Sequence, residues 1–191
     1  MKQKKLIPSM DWIIKDTDKL LREKSTEVVL PLNQQEQEIV DRMVCYIDSS
    51  YDTKAKKYDV VPGIAVAAIQ MGLKKKIIYA NFEDENGINV KCLLANPKII
   101  GYSPMCAFVK SGEGCLSDTA KHDGHVLRRN RIIVEAIDML DDNKVKKITF
   151  EGMSAICMQH EIDHLNGVLY YDHIKQENPF IDNSNNLYIE Y

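Results

Sequence analysis

"GMSAICMQHEIDHLNG", residues 152–167, decides both the fold and the chemistry of this chain. Met153, Ile156, Cys157, His160 and His164 recur at helical spacing and fall on one side, which predicts a helix over 152–165. Within it His160, Glu161 and His164 spell H-E-x-x-H, a pattern that usually announces a zinc protease. Two imidazoles four residues apart project from one face about a turn along, so both can reach one metal ion. Glu161 sits beside the first ligand, where its carboxylate can touch a water in the metal's open position, the place for a general base. Read blandly, this is a solvated helix face. Ile156, Cys157 and Leu165 speak against that, because they set the polar groups next to a core where such groups want partners.

The rest of the composition is ordinary. The 191 residues suffice for one domain with a real core, and no repeat, low-complexity tract or Gly/Ser linker divides them, so a single domain over 1–191 is expected. Apolar residues make up 45% and charged residues 28%, the balance of a soluble globular protein. A net charge of −3 gives no reason to expect nucleic-acid binding. Lys4–Lys5 and Lys74–Lys76 are short basic runs that read as solvated surface. No stretch is apolar enough to cross a bilayer, and "MKQKKLIPSMDW" (1–12) lacks the apolar core of a signal peptide, so a cytoplasmic protein is expected. The five cysteines are odd in number and include no C-x-x-C pair, which argues against a disulfide framework.

Upstream of the helix the texture changes twice. Asn33 can cap a helix over 34–49 in which Ile39, Val40, Met43, Val44 and Ile47 recur at helical spacing. The polar run 50–60 then reads as an exposed connection. "KKIIYANF" (75–82), "VKCLLANPKII" (90–100), "RIIVEAIDML" (131–140) and "VKKITF" (145–150) are strand-like, and "DMLDDNKV" reads as a hairpin turn. No long crossover helices separate these strands, so antiparallel pairing follows. The expected fold is α+β: mainly antiparallel β-sheets packed around a central C-terminal helix carrying H-E-x-x-H, with an N-terminal amphipathic helix.

A catalytic metal needs a third protein ligand, with a position left open for water. An extended protease pattern would place His at 170, where Tyr170 stands; Glu177 and Glu190 lie in a polar tail with little helical pattern. In "SGEGCLSD" (111–118), Cys115 sits among glycines and a polar turn, and as a thiolate it would complete a Cys/His/His site suited to Fe(II), Zn, Co or Ni. Its bland reading is a buried thiol, the usual fate of a lone cysteine. In "VPGIAVAAIQMG" (61–72) small residues would let a backbone pass close to a ligand, and Gln70 can both donate and accept; alone, that stretch reads as a tightly packed strand and turn.

Taken together, "GIAVAAIQ" (63–70), "EGCLS" (113–117) and "QHEIDH" (159–164) resemble the three motifs of the peptide deformylase family, in the family's order. The resemblance runs from about Leu30 to Ile174 and includes "ANPKI" (95–99), "RNRI" (129–132) and "HLNGVLYYDHI" (164–174). The long insert before the first motif resembles the second bacterial class. The resemblance implies removal of formate from the N-formyl-methionine of newly made proteins. It implies one divalent metal ion, Fe2+ with Zn2+, Ni2+ or Co2+ as substitutes, held by Cys115, His160 and His164. Glu161 would be the general acid/base, and Gln70 with the Leu116 N–H would bind the formyl oxygen as it becomes an oxyanion. Ile64, Met153, Ile156 and Cys157 match positions that line the methionine pocket. The peptide would lie extended along Gly63, Ile64 and Ala65 and near Gly112, and Glu113 with Arg128 matches an ion pair that braces the cysteine loop. The implied partners are N-formyl-methionyl nascent peptides, with room for a ribosome contact and none for nucleic acid or membrane.

The chain departs from the family pattern in two places. Ala65 replaces the motif's second glycine, which would interfere if that position used φ > 0 or touched the substrate backbone. Asp118 stands where the family usually has an apolar residue, and the sequence offers no account of it. His122, His125 and His173 read as surface residues. The readings that compete with a deformylase are an H-E-x-x-H metalloprotease and a non-catalytic metal-binding module, against which the intact Glu161 speaks.

Overall fold

The structure, a computed structural model, describes residues 6–50, 53–181 and 186–191; the Lys4–Lys5 run lies outside the described residues. In chain order the elements are α1 (Gln34–Ser50), α2 (Thr53–Tyr58), β1 (Ala65–Ala67), β2 (Ile77–Glu83), β3 (Asn89–Tyr102), β4 (Cys106–Val109), β5 (Arg128–Arg129), β6 (Arg131–Asp138), β7 (Lys144–Glu151), α3 (Met153–Leu165) and β8 (Leu187–Ile189). Single 3-10 turns lie between them. The chain is α+β with largely antiparallel sheets.

Five strands form one antiparallel sheet in the order β1-β2-β3-β6-β7. β2 and the middle of β3 are buried on both faces, so their apolar runs do not alternate, whereas β6 alternates buried residues with more exposed ones. In β2, Ile78, Ala80 and Phe82 face a core shared with α3, whereas Ile77 and Tyr79 face a second core shared with α1. The β6–β7 turn uses Asp142 and Asn143 at φ 49° and 56°, a region these residues tolerate. One register shift within β3, between Ala95 and Lys98, spans Pro97, which has no N–H to give to the ladder, and a second follows between Ile99 and Gly101. Beside them Asn96, at φ 53°, uses its amide to bond both the N–H (2.8 Å) and C=O (3.0 Å) of Val28, tying the N-terminal segment to the sheet.

A second sheet, in the order β5-β4-β8, corrects the reading of the tail as merely polar. Its β4–β8 pair is parallel, the exception to the antiparallel pattern. The stretch 50–60 is likewise not a plain connection, because α2 occupies part of it. At α1, Asn33 Oδ1 accepts the Glu36 N–H (3.0 Å) and Glu36 Oε2 accepts the Asn33 N–H (3.1 Å), a reciprocal cap.

Helix α3 runs between the sheets and touches β1, β2, β3, β4, β5 and β7. It is buried nearly all round rather than on one side, because sheet lies against it from several directions. Its first turn is fixed from outside: the Glu85 carboxylate accepts the Met153 N–H (3.1 and 3.2 Å), a negative charge at the helix N-terminus. Gly152, at φ 60°, leaves room for that carboxylate, and a Cβ there would collide with it.

Candidate metal centre

Strand β1 runs into a 3-10 turn over Ala68–Met71 that places Gln70 inside the protein, 1% exposed. Its Oε1 accepts the Ala67 N–H (2.8 Å), so its amide group points the other way, toward Ser117 Oγ (3.1 Å) and Cys115 Sγ (3.4 Å). Cys115 Sγ in turn lies 3.2 Å from His164 Nε2. The donor atoms of Cys115, His160 and His164 all fall within 4.8 Å of one another. One sulfur and two imidazoles that close together form a donor set for a transition metal.

The carboxylate of Glu113 fixes which nitrogen of His160 faces the sulfur. Its Oε2 lies 2.8 Å from His160 Nδ1, which leaves Nε2 for the centre. Glu113 itself is gripped by Arg128 at 2.5 and 3.0 Å, and Arg128 also donates to Asp163 at 2.9 Å. Burial alone would push the Glu113 carboxyl up, but the Arg128 charge, His160 and their hydrogen bonds outweigh it and hold it at about 2. Burial and the neighbouring His160 charge press His164 well below the usual range, which favours the neutral imidazole. His160 moves the opposite way: burial opposes its charge, yet Cys115 and Glu113 prevail.

Glu161 is the remaining buried acid. Burial raises its carboxyl to about 7 against the pull of His160 and Arg128, and its Oε2 has no hydrogen-bond partner. The cluster opens onto a cavity of about 630 Å³. Gly63, Ile64, Ala65, Gln70, Gly112, Cys115, Leu116, Met153, Ile156, Cys157, His160 and Glu161 all line it, so every expected site residue except the fully enclosed His164 reaches the cavity wall. Among the described residues nothing accepts the Leu116 N–H, while its carbonyl takes Lys15 Nζ at 2.8 Å. Ala65 is paired with Ala80 inside β1 and is not among the residues with positive φ, so the added methyl meets no backbone strain.

Four residues with roles here escaped the sequence. Asp118 Oδ2 accepts the Cys115 N–H at 3.1 Å, and Tyr170 donates its hydroxyl to the same oxygen at 3.0 Å. Tyr170, at the position where a protease ligand was sought, stacks on His160 with ring centroids 5.6 Å apart. Tyr191, beyond β8, walls the cavity and donates its hydroxyl to Glu83 O at 3.0 Å. Ser50 Oγ bonds both the N–H (3.2 Å) and C=O (3.1 Å) of Gly63. Asp16, Asp118 and His122 also bring donor atoms within 4.8 Å; Thr119 engages Asp16, Cys115 and Tyr170 engage Asp118, and His122 stacks on the Tyr171 ring while its Nε2, 3.8 Å from Asp16, makes no hydrogen bond among the described residues. His125 stacks on Phe108 rather than standing free at the surface, and His173 Nε2 donates to the Asp163 carboxylate. Lys74, Lys75 and Lys76 each face a glutamate (Glu23, Glu36 and Glu27), which cancels the basic run.

Comparison with known proteins agrees along most of the chain. The sequence model described as polypeptide deformylase matches residues 10–180. Peptide deformylase of Malacoplasma penetrans is 41% identical over 93% of this chain and 94% of its own length. Peptide deformylase 2 of Bacillus anthracis is 40% identical over 90% and 93%. Among solved structures, peptide deformylase from Ehrlichia chaffeensis superposes with a TM-score of 0.68 at 29% identity, covering 86% of this chain and 88% of that one.

Proposed function

This chain belongs to the polypeptide deformylase family, hydrolases that remove the N-formyl group from newly made proteins, and on that premise we propose that Cys115, His160 and His164 hold its divalent metal while Glu161, Gln70 and the Leu116 N–H carry the chemistry. The observation that bears most weight is the meeting of one sulfur and two imidazoles beside a buried, unpartnered carboxylate oxygen. When bound, the metal supplies Lewis acidity and a water activated at neutral pH. The proposed ion is Fe2+, with Zn2+, Ni2+ or Co2+ accepted by the same donors.

Each residue's part follows from its surroundings. Glu161, poised near neutrality, takes a proton from water and returns it to the departing amine. Gln70 is locked by its Oε1 on Ala67, so its amide group is held ready for the formyl oxygen, and the Leu116 N–H is the second donor for that oxygen as charge builds. Ile64, Met153, Ile156 and Cys157 give an apolar wall for a methionine side chain. Strand β1 is a sheet edge that an extended peptide can join, with Gly112 on the far side. Because Ser50 already takes the Gly63 N–H and the Asn81 N–H already donates to Ile64 O, that pairing falls to Ala65.

The substrates are formyl-methionyl nascent peptides, and contact with the ribosome and a cytoplasmic site of action belong to the same proposal. No helix among the described residues is long and apolar enough to cross a membrane. One purified sample tests the reading: metal analysis, formate release from a formyl-methionyl peptide, and endoproteolysis of an unformylated protein. Formate release that disappears together with the metal in Cys115→Ala supports it. Endoproteolysis without formate release overturns it in favour of a protease.

A further inference from the structure

Asp118 is one of the two positions at which this chain leaves the family pattern, and its surroundings give the change a use. Its N–H donates to Cys115 O at 3.2 Å and its Oδ2 accepts the Cys115 N–H at 3.1 Å, so one residue clasps both backbone groups of the cysteine. The same oxygen accepts the Tyr170 hydroxyl at 3.0 Å. Tyr170 is 3% exposed and lies nearly parallel to His160, 21° between the rings. It stands in a 3-10 turn just beyond α3, at a sequence separation of 52 from Asp118. A continuous path therefore joins the two segments that supply donors: Cys115 main chain, Asp118 carboxylate, Tyr170 ring, His160 ring.

We propose that Asp118 and Tyr170 are positioning residues of the metal centre, the carboxylate aiming Cys115 while the tyrosine holds that carboxylate to the ring backing His160. This rests on the assignment of Cys115 and His160 as ligands. An apolar residue at 118 could fill the space but could not accept from both donors. Outer groups of this kind set ligand direction, and their loss typically weakens metal binding by about 10- to 100-fold.

The experiment uses the cobalt-loaded protein and reads two signals, the near-ultraviolet thiolate-to-cobalt absorption and the rate at which a chelator strips the metal. Asp118→Ala and Tyr170→Phe are each expected to speed stripping by about 10-fold and to shift the absorption. Tyr170→Phe keeps the ring on His160, so it tests the hydrogen bond alone and serves if Asp118→Ala fails to fold. The double variant is expected to strip no faster than the faster single variant, because both break one path. Asp118→Asn, which still offers an oxygen to both donors, is expected to behave like wild type. Wild-type absorption and stripping in both single variants overturn the proposal, as do rates that multiply in the double variant. A wild-type cobalt form without thiolate absorption overturns the Cys115 assignment beneath it.

Discussion

At the scale of the residue, the proposed centre divides into groups assigned to hold the metal and groups assigned to react, and substitution separates them. Glu161 has no hydrogen-bond partner at Oε2, so removing it disturbs no contact of that atom. Glu161→Gln is expected to keep its metal and lose about 10²- to 10⁴-fold in formate release. Loss of the metal along with the activity would recast Glu161 as a ligand or a brace. Gln70→Ala removes a donor locked in place by Ala67, so kcat should fall about 10²- to 10³-fold with KM nearly unchanged in steady-state assays. The reacting types were legible in the sequence because H-E-x-x-H states its own geometry on a helix. Asp118, Tyr170 and Tyr191 were not, since the Tyr170–Asp118 and Tyr191–Glu83 hydrogen bonds join stretches 52 and 108 residues apart and no local period encodes them.

At the scale of the element, long strands and amphipathic spacing could be read, and short segments could not. β2, β6 and β7 have seven or eight residues each and declare themselves by β-branched content. β4, β5 and β8, with four, two and three residues, are too short to show alternation, so these strands could not be read. That sheet bears on the site, because β8 leads Tyr191 to the cavity wall. Tyr191→Ala should widen the cavity there and raise kcat/KM for formyl-phenylalanyl relative to formyl-methionyl peptides by about 10-fold; an unchanged ratio would remove Tyr191 from the determinants of specificity. The start of α3 gives a separate test. Gly152→Ala forces a side chain into φ 60° and against the Glu85 carboxylate. It should cost about 1–3 kcal/mol in urea denaturation.

At the scale of the whole molecule, a buried charge network ties the cysteine loop, β5 and α3 together. Arg128, with its side chain 4% exposed, is shared by Glu113 and Asp163, and Glu113 also orients His160. Removing one member leaves the others charged and unmatched in a dry interior, which costs about 3–5 kcal/mol. Glu113→Gln should therefore be destabilised by that order at neutral pH. The sign of the pH dependence follows from the folded carboxyl lying at about 2, below its ordinary 4.5. Such a group stabilises the fold above 4.5, and that contribution fades as pH falls through the folded value. The gap in unfolding free energy between wild type and Glu113→Gln should thus be full above about pH 5 and close progressively toward pH 2. Measuring the difference, with both proteins stripped of metal, removes the contribution of metal release at low pH. A gap that stays constant from pH 6 to pH 2.5 would mean that Glu113 is no more acidic in the folded protein than in the unfolded chain, and that Arg128 is balanced by Asp163 alone.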